Sequence, residues 1–154
     1  MVKGGYVGEL AREVLVETDF LFGLSAGDKL YSQVMRVLEK HRKGEIRIVV
    51  SSASPIEVSL TLLSRGMDIG IVAKVLKLMN TKLAEYRVNT YAPVTLEVIA
   101  KALELKKKYK TLTLFDSVHI SLATILGMPL LTSDKTMQNT MEIENTEYLN
   151  YNII

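Results

Sequence analysis

The stretch Leu114-Phe115-Asp116-Ser117-Val118-His119-Ile120-Ser121-Leu122-Ala123-Thr124-Ile125-Leu126-Gly127-Met128-Pro129-Leu130-Leu131-Thr132-Ser133-Asp134 decides the fold. Its first half is apolar nearly all round, through Val118, Ile120, Leu122, Ala123, Ile125 and Leu126, which predicts a buried helix starting at Asp116. Gly127-Met128-Pro129 breaks that helix. Leu130-Leu131-Thr132 then reads as a very short strand, and an acid, Asp134, follows it at once. In parallel α/β sheets, ligand sites gather outside the carboxyl ends of the strands, so Asp134 stands where chemistry is expected.

The same alternation extends outward in both directions. Glu13 to Thr18 reads as a first buried strand and Phe20 to Ser25 as a short helical turn. Asp28 can cap a helix to about Lys43, with Leu30, Val34, Val37 and Leu38 at helical spacing. Ile46 to Ser51 is β-branched and reads as a second strand. Ser54-Pro55-Ile56-Glu57 is a helix start with Ser as cap and Pro at the first position; Ile56, Leu60 and Leu63 are the expected buried stripe. Asp68 opens a further helix through Ile71, Val75, Leu78 and Leu83, whose Val72, Val75, Leu76 and Met79 read as core. Arg87 to Tyr91 is the expected third strand, and Thr95 to Lys108 an amphipathic helix. Lys135 to Asn139 reads as a helical turn and Glu147 to Tyr151 as an edge strand. Strands alternating with long helices predict an α/β fold, a parallel sheet with helices on both faces.

Four acids stand at element ends beside apolar sequence: Asp19, Glu57, Asp116 and Asp134. A carboxylate there is expensive unless it is paired or binds a cation. Asp19 follows the first strand, Glu57 lies in the first turn of the helix after the second, and Asp116 and Asp134 bracket the buried helix and short strand. The topology brings all four to one rim. Each also has a local alternative: Asp134 and Asp116 as helix caps, and Glu57 as partner of a capping box. His119, one turn from Asp116, can face the pocket, although packing or hydrogen bonding in the core is the expected outcome.

The 154 residues suggest one domain. The chain has no cysteine, which excludes disulfides, thiolate metal sites and a cysteine nucleophile and fits a cytoplasmic protein. No apolar run is long enough to span a bilayer, and the N-terminus lacks a signal-peptide core. The net charge of +2 is too mild to indicate nucleic-acid binding by itself. Cations cluster, however, at Arg36, Lys40, His41, Arg42, Lys43 and Arg47, and again at Lys101, Lys106, Lys107, Lys108 and Lys110. Both groups have the alternative of solvated helix ends.

Taken in order, Leu15-Val16-Glu17-Thr18-Asp19, Ser54-Pro55-Ile56-Glu57-Val58, Phe115 to Ala123 and Gly127 to Asp134 resemble the PIN-domain nucleases, especially the VapC-like toxins of prokaryotic toxin–antitoxin systems. The resemblance runs from about Val14 to Asn139. It implies a three-layer α/β/α fold with a five-stranded parallel sheet and an acidic pocket for one or two Mg²⁺ or Mn²⁺ ions. It implies endonucleolytic hydrolysis of single-stranded RNA. Asp19, Glu57, Asp116 and Asp134 would be the catalytic, metal-holding acids, with Asp19 and Asp116 as direct ligands. Thr132, Ser133 and Asn139 would support them. Lys106, Lys107, Lys108 and Lys110 would contact RNA phosphates, and Tyr86, Tyr91 and Tyr109 could stack bases. A small antitoxin and a second copy of the chain are the partners implied. Two departures stand out: Asp19 lies further from the start than the resemblance implies, which makes residues 1–12 an N-terminal extension, and Gln138 and Asn139 stand where a fifth acid would be expected.

Other readings stay open at this point. An RNA-maturation nuclease of the same fold, or a non-catalytic RNA-binding or interaction module, would share most of these features. A phosphoacceptor signalling domain is also doubly wound, but Glu17-Thr18-Asp19 and Lys135 fit its paired acids and lysine poorly.

Overall fold

The computed structural model describes residues 10–154. Strand β1 (Arg12–Val16) is followed by α1 (Thr18–Phe22), α2 (Tyr31–Arg42), β2 (Ile46–Ser51), α3 (Ser54–Ser64), α4 (Ile69–Glu85) and β3 (Tyr91–Ala92). Then come α5 (Leu96–Lys108), α6 (Leu114–Leu126), β4 (Leu130–Leu131), α7 (Lys135–Ile143) and β5 (Tyr148–Leu149). Residues 1–9 of the expected extension lie outside the described residues, and Arg12 already belongs to β1.

The five strands form one parallel sheet in the order β3-β2-β1-β4-β5. β1 is central, and Val14, Leu15 and Val16 are wholly buried. Burying such side chains stabilises the fold by roughly 1.5–3 kcal/mol each. Alternation along the strands divides the core into two layers. Val14, Val16, Ile48, Val50 and Leu131 point to one face, with Val34, Val37 and Leu38 of α2, Val58 and Leu62 of α3, and Val72 and Leu83 of α4. Leu15, Val49 and Leu130 point to the other, with Val98 and Ala102 of α5, Val118, Ile120 and Leu122 of α6, and Met137 and Met141 of α7. This is the three-layer α/β/α arrangement expected from the sequence. Close packing constrains one glycine in particular: a Cβ at Gly23, which ends α1, would come within 2.4 Å of Val34 Cγ2.

Three local expectations are corrected. The buried line of α3 is Ser54, Val58 and Leu62, whereas Ile56, Leu60 and Leu63 are 59%, 52% and 39% exposed. This helix is apolar on several faces, so its spacing alone does not choose one. On α4, Ile71 and Leu78 face outward for the same reason, while Val75, Leu76 and Met79 pack on the core as expected. The third strand is Tyr91–Ala92 rather than Arg87 to Tyr91, because Arg87 takes a left-handed φ of 61° and Val88 N–H returns to Leu83 O, closing α4.

Candidate functional site

The site is built on the ends of the three central strands. β1 pairs Val16 with Val50 of β2 and with Leu131 of β4. One residue further on, Glu17 therefore stands level with Ser51 and Thr132. Glu17 is only 5% exposed; the Thr132 hydroxyl donates to its Oε1 at 3.3 Å, and Asp19 stands beside its carboxyl. Burial, and then the charge of Asp19, push its carboxyl well above the usual range for glutamate.

Glu57 reaches the same place from the first turn of α3. Its Oε1 accepts from Thr18 Oγ1 and from His119 Nε2, the latter at 2.9 Å. Burial alone would raise the Glu57 carboxyl, but the His119 and Thr18 bonds outweigh it and hold the carboxyl below its ordinary value. His119 is fully buried on α6, and its Nδ1 lies 2.9 Å from Ser51 Oγ. The partners assign the proton: Nε2–H donates to the carboxylate and Nδ1 accepts from the serine. Ligand atoms of Glu17, Glu57 and His119 all lie within 4.8 Å of one another. Glu57 thus serves no capping box; Ala53 is the residue before α3, and no side chain caps that helix.

Asp116 is the third residue of α6 and completes a capping box: Thr113 Oγ1 accepts from its backbone N–H, and its Oδ2 accepts from Thr113 N–H. Asp134 caps α7, accepting from Met137 N–H at 2.9 Å. The capping alternatives are therefore real for both residues, which also lie close enough to repel one another. Burial, opposed by the Thr113 bonds and helped by the charges of Asp134 and Glu57, raises the Asp116 carboxyl. Repulsion links Asp19 to Glu17, Glu17 to Glu57, Glu57 to Asp116 and Asp116 to Asp134. Glu17, Glu57, Asp116 and Asp134 thus lie within reach of one another's charge, and Asp19 adjoins Glu17.

Asp19 is placed differently from its three companions. Its Oδ2 accepts from Ser133 N–H at 2.8 Å and from Ser133 Oγ at 2.7 Å, and its Oδ1 accepts from Tyr151 Oη at 2.9 Å. The carboxylate that joins Glu57 and His119 is Glu17, which the sequence reading treated only as a flank of Asp19. β1 ends at Val16, two residues before the expected strand end, which leaves Glu17 as the side chain at the strand end.

The PIN domain family matches the chain over residues 14–142. The chain belongs to the PIN domain family. No curated protein sequence matches it. Among solved structures, VapC20 of Mycobacterium tuberculosis, described as a sarcin-ricin loop cleaving toxin, has 17% identity and a TM-score of 0.62 over 82% of this chain and 93% of that one. VapBC2 of Rickettsia felis, bound to a DNA fragment from its promoter, has 15% identity and a TM-score of 0.62, covering 90% and 98%. FitAcB of Neisseria gonorrhoeae has 16% identity and a TM-score of 0.62, covering 90% and 97%. At these identities the likeness is one of fold.

This PIN pocket suits a hard divalent cation. Its donors are mainly carboxylate oxygens, the set that Mg²⁺ and Mn²⁺ favour. Glu17 is a buried acid crowded by Asp19, a group that needs a nearby positive charge to ionise. His119 Nε2 is already engaged with Glu57, so it orients that carboxylate. Thr132 touches Glu17, and Ser133 holds Asp19. Asn139 is exposed on α7; the buried neighbour Gln138 instead donates to Thr132 O at 2.8 Å.

The lysines of α5 divide. Lys106 Nζ donates to Leu112 O at 2.8 Å. Lys108 Nζ pairs with Glu144 at 2.7 Å, beyond the C-terminal end of α7 and so about 14 Å of helix from Asp134. Lys107 and Lys110 are exposed and in no ion pair among the described residues. Of the tyrosines, Tyr109 is tied to Glu144 and Tyr86 lies under Lys82, while Tyr91 is 42% exposed on the edge strand β3. Among the described residues, no helix is long and apolar enough to cross a membrane.

Proposed function

We propose that this protein is a divalent-cation-dependent endoribonuclease of the cytoplasm that cuts single-stranded RNA, and that it is the toxin of a toxin–antitoxin pair. The observation that carries the reading is the buried Glu17 carboxylate facing Glu57, with Asp116 and Asp134 repelling one another beside them. So dense a set of anions is poorly suited to stability alone. Membership of the PIN domain family and the toxin description of a structural neighbour support the same reading.

In this proposal Glu17, Glu57 and Asp116 hold one or two Mg²⁺ or Mn²⁺ ions, and Asp134 lies at the open side, where water enters. When bound, the cation supplies positive charge against the phosphodiester oxygens and lowers the pKa of water. His119 keeps Glu57 ionised and aimed. Asp19, held by Ser133 and Tyr151, stands behind Glu17 rather than among the ligands. Direct attack by water leaves 5′-phosphate and 3′-hydroxyl ends and needs no ribose 2′-hydroxyl. Lys107 and Lys110 are the cations free to meet RNA phosphates.

A small antitoxin and a second copy of the chain are the expected partners. The apolar surface open to them includes Ile56 and Leu60 on α3, and a groove of about 430 Å³ lined by Ala53, Ile56, Val94, Leu114 and Phe115. An RNA-maturation nuclease would use the same pocket but would not arrest growth when expressed alone.

The test is cleavage of a labelled single-stranded RNA with Mg²⁺, Mn²⁺ or EDTA, comparing wild type with Glu17→Gln, Glu57→Gln and Asp116→Asn. Cation-dependent cutting that all three variants lose supports the proposal. Folded wild-type protein that binds RNA without ever cutting it would support a non-catalytic module instead.

A further inference from the structure

The family match stops at residue 142, yet a residue beyond it bonds Asp19, the neighbour of Glu17. Tyr151, two residues past β5, is 2% exposed and packs in the core layer that holds Val14, Val16 and Phe20. Its hydroxyl donates to Asp19 Oδ1 at 2.9 Å, and its carbonyl accepts from Arg36 Nη2 of α2 at 2.7 Å. The C-terminal segment is thus fastened at one residue to both α1 and α2.

The consequence runs through Asp19. With Tyr151 on one oxygen and two Ser133 donors on the other, the carboxylate has a single orientation. Ser133 lies between Thr132, which touches Glu17, and Asp134. The Asp19–Ser133 contact therefore ties the start of α1 to the β4–α7 connection directly beside Glu17. Removing the tyrosine hydroxyl leaves Oδ1 without that donor, so the carboxylate is held on Oδ2 alone and can pivot about the Ser133 contact.

We propose that Tyr151 is a positioning residue for the acidic pocket: it locks Asp19 against Ser133 and so fixes the wall that presents Glu17. Its effect on turnover rests on the nuclease reading; its hold on the wall does not.

Tyr151→Phe keeps the ring in the core and removes one oxygen. In the metal-free protein, amide exchange at Ser133 should quicken about 10-fold. The Kd for Mn²⁺ alone, from calorimetry, should weaken about 5- to 10-fold, within the range seen for residues that orient metal ligands. RNA cleavage should lose kcat with KM unchanged. Arg36→Gln, which keeps the hydroxyl but frees the Tyr151 carbonyl, should move all three readouts the same way by less. A merely space-filling Tyr151 would leave Ser133 exchange and the Mn²⁺ affinity of Tyr151→Phe at wild-type values, and that result overturns the proposal. A wild type that neither binds Mn²⁺ nor cuts RNA, with Ser133 exchange still quickened by Tyr151→Phe, sinks the nuclease reading while the hold on the wall stands.

Discussion

His119 Nε2 lies 2.9 Å from Glu57 Oε1 while its Nδ1 lies 2.9 Å from Ser51 Oγ, so one fully buried ring joins α6 to the end of β2 and the start of α3. Replacing it strands two polar groups in the interior. His119→Ala is expected to lose about 2–4 kcal/mol of stability in urea denaturation. Mn²⁺ affinity should fall about 10- to 100-fold, as for other residues that orient a ligand. A variant that melts early yet binds Mn²⁺ like wild type would reduce His119 to a packing role.

Glu17 should behave in the opposite way. Glu17→Gln removes a poorly compensated buried charge, so the metal-free variant at pH 8 is expected to be more stable than wild type, by about 1–2 kcal/mol. The same change should abolish cleavage. Greater stability with lost activity is the signature of a residue kept for chemistry, and destabilisation by Glu17→Gln would contradict it.

The raised carboxyls of Glu17 and Asp116 fix the sign of the pH dependence. Each holds its proton to higher pH when folded than when unfolded. Their contribution is full below the ordinary carboxylate range, about 4, and is lost as pH rises toward the folded values. Glu57 is lowered, so its contribution is lost only as pH falls below that range. Thermal melts in EDTA should therefore show a Tm several degrees higher at pH 5.5 than at pH 8. Mn²⁺ should narrow the gap, and Glu17→Gln should flatten it.

In the proposed nuclease, Lys107 and Lys110 are the members of the Lys106–Lys110 group left to meet RNA phosphates. Their joint replacement by Ala should reduce the slope of log affinity against log salt by about 1.4, two single-strand contacts' worth. Lys106→Ala, which loses the bond to Leu112 O, should instead lower stability with little change in that slope. Filter binding across a salt series, with melts alongside, separates the two effects.

The sequence carries β1, β2 and β4 well because each holds an apolar run, but it misplaces β3, whose Tyr91–Ala92 pair offers no run to read. It carries α3 poorly, since Ile56, Val58, Leu60, Leu62 and Leu63 leave no face clearly apolar and only contact with the sheet selects Val58 and Leu62. Glu57, Asp116 and Asp134 were legible because each opens a helix at the strand-end rim. The exchange between Glu17 and Asp19 was not, because two acids two residues apart differ only in which side of the β1–α1 corner they take. Tyr151 had no local signal at all: its partner lies 132 positions away in the chain.

The central place of β1 has a consequence for folding. β1 is flanked by β2 and β4, so the pocket joins Glu17 to Asp134, 117 positions further along the chain, and its wall to Tyr151 beyond that. A chain folded only as far as α5 holds Glu17 and Glu57 but neither Asp116 nor Asp134.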